Sequence, residues 1–381
     1  MTISSKANPN SMVLRKSAVV LAVVPWIFAL CAAPAWAQDW KAEWDRTVAA
    51  AEKEGTLTME SQPNRSARAF LEKEWAKAFP KIKLSINAIP SSQFMARIRN
   101  ERKAGKNLWD FAISGGNTGY ILSKEGLIDP IANEFIYPDL KDLKTWGGPD
   151  NAYFDLARKY VISLSAHLKS PFYDAKQVPA EKVKAMGLKI LLDPAYKDKI
   201  IWHDPSIPGS GQSFGYVLRS RLGDEGLRKL VIDQNVRFVK GQHEVVEALA
   251  RGTAAIGIGP IVTGLLGPYK KAGMKLDIHA FGNTPEVTEM STGGATLYVF
   301  NGRPHPNATK VFVNWIMSKE VQTGFSSVMD QDSRRQDVPA VGGDERTPIK
   351  GVKYLETQRE DYLKDVQAAG KFVAQLRRSR N

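Results

Sequence analysis

The sequence predicts an α/β fold built on parallel sheets, in a chain with room for two separate cores. Three observations carry this. Short β-type runs alternate with amphipathic helical stretches, as strand–helix–strand units require. The 381 residues are 43% hydrophobic and 24% charged, the balance of a globular chain and not a disordered one. No run after residue 37 stays apolar long enough to span a bilayer, which excludes a multi-pass membrane protein.

Taken in order, Trp40 to Glu54 has Trp40, Trp44, Val48 and Ala51 near i, i+4 spacing, a helix that Gly55 ends. TLTME then alternates like a strand, Ser66 to Phe79 is helical again, and KIKLSINAI is a second strand. Phe94 to Ala104 is helical up to Gly105, and DFAISGG is a short apolar strand entering a glycine loop. The middle repeats the scheme. YVISLSAHL, SPFYD, KIIWHD, TAAIGIG, KLDIHAF and ATLYVF read as strands. Helical periods occupy 181–186, 213–222, 226–235, 243–251 and 307–318, and a terminal amphipathic helix is expected over 352–376. No repeat or low-complexity linker separates the halves, so two domains would be joined by strands that cross between them.

The N-terminus reads as a leader. Lys6, Arg15 and Lys16 precede an apolar run from Ser17 to Ala33, and Ala35-Trp36-Ala37 places small residues before a cleavage point. Met12 would serve as an alternative start. The run is short and Pro25 interrupts it, which disfavours an uncleaved membrane anchor. Cleavage after Ala37 removes three basic residues and lowers the net charge from +13 to +10. The single cysteine, Cys31, leaves with the leader, so the mature chain would hold no disulfide and no thiolate metal site. These features indicate a periplasmic protein. The basic excess does not indicate a nucleic-acid partner. Lys and Arg alternate with acids along the helices, as in EKEWAKAF, and no zinc-finger or RNP signature occurs.

Catalytic motifs fail on inspection. His243-Glu244-Val245-Val246-Glu247 lacks the second imidazole of a zinc-protease helix and reads as a helix N-terminus. His167, His203, His279 and His305 are dispersed and read as packing or surface residues. GIGIGP lacks the third glycine of a dinucleotide loop, and there is no GxxxxGK[ST] or GxSxG. No nucleophile–base pair stands out, so the chain is read as a non-enzyme without cofactor or metal site.

Four polar glycine loops offer a site instead. They are Ser61-Gln62-Pro63-Asn64-Arg65, Ser114-Gly115-Gly116-Asn117-Thr118-Gly119, Pro208-Gly209-Ser210-Gly211-Gln212-Ser213 and Ser291-Thr292-Gly293-Gly294. Three of them lead from a strand into a helix. Glycine lets backbone approach a ligand, and N–H groups at a helix start point at acceptor oxygens. In open α/β sheets such loops gather at the carboxyl ends of the strands, where ligands bind.

At this level the chain resembles periplasmic solute-binding proteins of ABC importers, in the class related to ferric-iron-binding proteins. AEKEGTLTME, RIRNERKAGKNLWD, LLDPAYKDKIIWHDP, ARGTAAIGIGP, RPHPNATKVFVNWIMSKEVQ and SRRQDVP occur in the family's order and span nearly all of the mature chain. The resemblance implies two α/β lobes around a ligand cleft that closes by a hinge, the type II arrangement, and delivery of the solute to a permease in the inner membrane. It places crossing strands near 160–167 and 277–281, one lobe over 38–163 and 278–324, and the other over 164–277 and 325–381.

The solute is read from the loops. Iron-binding members carry a tyrosine pair after the strand that corresponds to TAAIGIG; here Pro260-Ile261 stands in that segment and Tyr269 is isolated. Trp202, Phe214 and Tyr216 could serve as sugar platforms or as core. The expected binding residues are Ser61, Gln62, Asn64, Arg65, Ser114, Gly115, Gly116, Asn117, Ser210, Gly211, Gln212, Pro260, Thr292, Gly293 and Arg334, with Arg335 as a further cation. Guanidinium and helix N-termini favour a small organic anion, carried by a monomer. A ferric-binding protein and a ligand-sensing partner of a membrane receptor are the alternatives.

Overall fold

The computed structural model describes residues 35–61, 63–89, 91–207, 209–259, 266–341, 343, 346–349 and 351–380. Most of the expected leader with Cys31, and the site candidates Gln62 and Pro260, lie outside these residues.

The first lobe is built on a six-stranded sheet with the order β2-β1-β3-β13-β4, and β5 beside β13. Its strands are β1 (Thr56–Ser61), β2 (Lys83–Ala88), β3 (Phe111–Ser114), β4 (Ile128–Asp129), β5 (Ile162–Ser163) and β13 (Thr296–Phe300). β1 runs parallel to β2 and β3, and β13 is antiparallel to β3. Helices α1 (Ala35–Glu54), α2 (Arg65–Ala78), α3 (Ser91–Lys103) and α4 (Gly116–Lys124) connect or flank these strands, as do α7 (Pro306–Ile316) and α8 (Lys319–Met329) from late in the chain. Both faces of the sheet are covered, as side-chain parity shows. Leu57, Met59, Phe111, Ile113, Leu297 and Val299 enter one core, which packs on α2 and α7 through Trp75 and Phe312. Ala112, Tyr298 and Phe300 enter a second core with Phe94, Ile98 and Trp109.

The second lobe repeats the plan with a five-stranded sheet, β11-β7-β10-β8-β9. These strands are β7 (Phe172–Asp174), β8 (Ile200–His203), β9 (Arg237–Val239), β10 (Ile256–Ile258) and β11 (Ile278–Ala280). Its helices are α5 (Ser210–Arg228), α6 (Gln242–Ala250) and the C-terminal α9 (Leu363–Arg380). The core holds Trp202, Phe214, Leu218 and Ile256, with Val373 contributed by α9. Trp202 and Phe214, considered as sugar platforms, are thus packed inside it.

A third sheet links the lobes. β6 (Ser165–Lys169) lies between β12 (Glu289–Ser291) and β14 (Asp332–Ser333), antiparallel to both. The chain leaves the first lobe along β6, returns along β12, and leaves again after β14 to reach α9.

This topology corrects the expected boundaries. Ile278–Ala280 pairs with Phe172–Asp174 inside the second lobe, so the return crossing is 289–291 and not 277–281. Phe325, placed with the second lobe by the family resemblance, packs in the first-lobe core. The helix expected over 352–376 begins only at Leu363, because 352–359 runs irregularly beside β12, with Met290 N–H donating to Leu355 O at 2.8 Å. The separate helices expected at 213–222 and 226–235 are two helical segments of the stretch 210–233, broken at Gly223, whose φ 70° and ψ 178° are not helical.

Lys169 on β6 and Glu289 on β12 form an ion pair of 2.5 Å, with side chains 3% and 0% exposed. Glu289 also accepts from Ser213 Oγ at 2.8 Å and from the Thr357 hydroxyl. Removing one partner leaves the other charge buried and uncompensated. Glu289→Ala should therefore cost about 3–5 kcal/mol in urea unfolding, and Lys169→Met combined with Glu289→Met should recover most of it.

Candidate functional site

A cavity of about 230 Å³ opens at the carboxyl ends of β1 and β3. Ser61 closes β1, and Ile113 lies one residue from the end of β3. Asn64, Ala67, Arg68 and Leu71 come from the start of α2, and Phe325 and Met329 from α8. Gly293, Gly294 and Gln331 line it from the ends of the crossing strands, and Gln242 reaches it from the first residue of α6 in the second lobe. The cavity therefore lies in the cleft between lobes.

The local sequence dictates this geometry. Asn64 is the N-cap of α2, its side-chain oxygen accepting from Ala67 N–H at 3.0 Å, which aims the helix start at the cavity. Arg68 follows one turn later on that side. It pairs with Glu72 at 2.8 Å on an exposed surface, an interaction weak enough for a ligand carboxylate to compete with it. Gly293 has φ +59°, and a Cβ there would stand 2.2 Å from the Gln331 amide. Ser165 Oγ is 2.8 Å from Gln331 Oε1 and 2.7 Å from Thr292 O, which fixes the cavity floor to β6.

Beneath the same strand end lies a buried acid. Glu60 points to the opposite side of the sheet from Ser61, fully buried, with Ser114 Oγ donating to Oε1 at 3.4 Å and, among the described residues, no partner for Oε2. Burial pushes its carboxyl up to about 8, with the Ser114 hydroxyl pulling the other way, so at neutral pH the protonated acid predominates.

A profile of the bacterial extracellular solute-binding proteins matches residues 67–333. The chain belongs to that family. Comparison with curated proteins gives no match. Similar solved structures include iron-bound HitA from Pseudomonas aeruginosa, 17% identical over 86% of this chain and 99% of that one, with a TM-score of 0.61. Ferric iron-binding protein A of Mannheimia haemolytica, in an open conformation, is 14% identical over 84% and 98%, at 0.62. AfuA of Actinobacillus pleuropneumoniae, with fructose-6-phosphate bound, is 17% identical over 85% and 97%, at 0.55. These likenesses establish the fold, a two-lobed periplasmic binding protein; the work of the family is solute binding and in general not catalysis.

In this solute-binding protein the residues named from sequence divide into two groups. Ser61, Asn64 and Gly293 meet at the cavity. Arg65 is exposed beside it without lining it. Ser114 faces Glu60, and its carbonyl accepts from Thr296 Oγ1 at 2.7 Å. Gly115 is the N-cap of α4, and Asn117 Oδ1 accepts from the Tyr120 hydroxyl at 2.5 Å. Gly116 is covered by the protein itself: a Cβ would lie 3.3 Å from Gln358 O. Gln358 also occupies Thr292, accepting from its N–H at 2.9 Å and its hydroxyl at 3.1 Å.

The loop before α5 is likewise turned inward. Ser210 Oγ lies 3.0 Å from His203 Nδ1, and Gly211 N–H donates to that nitrogen at 3.2 Å. A Cβ at Gly211 would fall 1.8 Å from His203 O, so glycine is required there for packing onto β8. Gln212 packs at Gly370 of α9. Arg334 is bound to Glu356, with contacts of 2.7 and 3.2 Å, and to Asn151 at 2.9 Å; Arg335 pairs with Asp139 and Asp337. Sequence reasoning missed Arg68, Gln242 and Gln331. Arg68 was accessible from the Asn64 cap, whereas Gln242 and Gln331 carry no local signal.

Gly293→Ala forces a Cβ onto Gln331 and a side chain into a left-handed conformation, and should lower stability by about 1–3 kcal/mol in urea unfolding. For Glu60, the folded-state value lies above that of the unfolded chain. Its stabilising contribution is complete below about 4.5 and is lost as pH rises through about 8. Glu60→Gln should flatten that dependence, a difference on the order of 4 kcal/mol between urea curves at the two ends of this range.

Proposed function

We propose that the protein is the substrate-binding component of an ABC importer, exported to the periplasm by a leader cleaved after Ala37. In this reading it captures a small organic anion as a monomer and hands it to an inner-membrane permease. One observation carries the choice of solute, the donor set around the cavity. Arg68 supplies a guanidinium, the starts of α2 and α6 border the cavity through Asn64 and Gln242, and Ser61, Asn64, Gln242 and Gln331 add hydroxyl and amide groups. A carboxylate or phosphonate accepts from such groups at once, and the guanidinium adds charge-assisted, planar recognition. Leu71, Phe325 and Met329 would cover the carbon skeleton. The volume suits a compound of a few carbons. Hinge closure on the crossing strands would then seal the ligand.

Ferric ion prefers hard anionic oxygen ligands, and among the described lining residues the polar groups are amide, hydroxyl and guanidinium. Calorimetric titration with small carboxylates, phosphonates, polyamines and ferric chelates tests the reading. Binding should be confined to the anions, and Arg68→Ala should weaken it by about 10–100-fold while Arg65→Ala changes it little. A visible phenolate band with ferric ion, and no anion binding, is the result that overturns it.

A further inference from the structure

The cavity between the lobes is chemically two-sided. Leu71, Ile113 and Phe325 line it although each belongs to the first-lobe core and none is more than 5% exposed. Met329 joins them from the last residue of α8, half-buried against the same core. Arg68 lines the cavity from the exposed surface, its side chain 48% accessible. A pocket with a buried apolar wall and one guanidinium near solvent has a direction: carbon body inward, acid group at the mouth.

The polar lining is narrower than its residue types suggest. Asn64 Oδ1 caps α2, and the amide nitrogen of the same side chain donates to Met329 Sδ at 3.4 Å, which holds the thioether in the wall. Gly293 and Gly294 donate their N–H groups within their own turn, to Ser291 Oγ at 3.2 Å and Thr292 Oγ1 at 3.4 Å. Gln331 Oε1 accepts from Ser165. Among the described lining residues Arg68 alone is charged, and Glu72 already faces it. Asp330, next to Met329, is paired with Arg346, and Arg65 does not line the cavity. A second negative charge on the solute would therefore lie beside Glu72 or against Leu71 and Phe325, and an unpaired charge in such a place is costly. A hydroxyl on the carbon body would meet the same apolar wall. An apolar cavity of about 150 Å³ admits a benzene ring, so the 230 Å³ here accommodate a phenyl group or a short branched chain.

We propose that the solute is a monocarboxylate with a compact apolar body, branched aliphatic or aryl, and that Met329 is a specificity-determining residue for that body. This rests on the anion reading above and narrows it. Arg68 takes the carboxylate, and the body packs on Leu71, Phe325 and Met329. Met329 is the adaptable part of the wall, an unbranched thioether outside the fully buried core.

Calorimetric titration of the wild-type chain with acetate, propionate, isobutyrate, isovalerate and benzoate tests this. Each carbon added up to isovalerate should tighten binding about fourfold. Succinate, lactate and inorganic phosphate should bind at least about tenfold more weakly than isovalerate. Met329→Asn puts an amide in the wall and should flatten the dependence on carbon number, whereas Met329→Leu, which keeps the site apolar, should retain it. Arg68→Ala should weaken all the acids alike and leave that dependence in place. No gain with carbon number in the wild type, succinate or lactate bound as tightly as isovalerate, or an unchanged dependence in Met329→Asn overturns this inference and leaves the anion reading standing. Failure of every acid and of phosphate to bind the wild type overturns both.

Discussion

A single carboxylate gathers all three connections between the lobes. Glu289 belongs to the returning strand β12, Lys169 to the outgoing strand β6, and Thr357 to the segment that follows β14. Ser213, from the start of α5, adds the second lobe to the same cluster. Taking both charges out of water costs more than their attraction returns unless the remaining lone pairs are satisfied, and here they are. Such a cluster contributes little net stability against an apolar equivalent. It does impose registry, because each partner comes from a different part of the chain and only one alignment satisfies them together.

That registry positions the cavity. Gly293 follows β12 by two residues and Gln331 precedes β14 by one, so an alignment shift of the linking strands would move both lining groups at once. Ser165 Oγ fixes the relation by touching Thr292 O and Gln331 Oε1. The first-lobe wall depends on a separate device, the Asn64 cap that directs α2 inward. The cleft is thus assembled from a helix start held by local sequence and a floor held by long-range pairing.

The division between local and long-range causes also explains what was legible in the sequence. Alternation and helical period located β1, β3, β8, β10 and β13 and most of the helices, because those signals reside in a few consecutive residues. The position of β11 was misassigned because strand pairing is not encoded locally; KLDIHAF looks the same whether it crosses or lies at an edge. Glycine loops were visible, but their use was not. Gly211 and Gly116 exist for close packing against His203 and under Gln358, and a loop that the protein fills itself has the same composition as one that a ligand fills. Glu60 illustrates a further limit. In TLTME it alternates with Leu57 and Met59, as a solvent-facing residue would, yet a sheet covered on both faces buries it.

The odd number of crossings has a geometric outcome of its own. A chain that passes between two bodies three times must begin on one and end on the other, and α1 indeed packs with α7 on the first lobe while α9 packs with α5 on the second. The first and last described helices are therefore carried by opposite lobes. Fluorophores placed on the exposed faces of α1 and α9 would sit on different lobes, so any ligand-dependent change in lobe separation could be read optically.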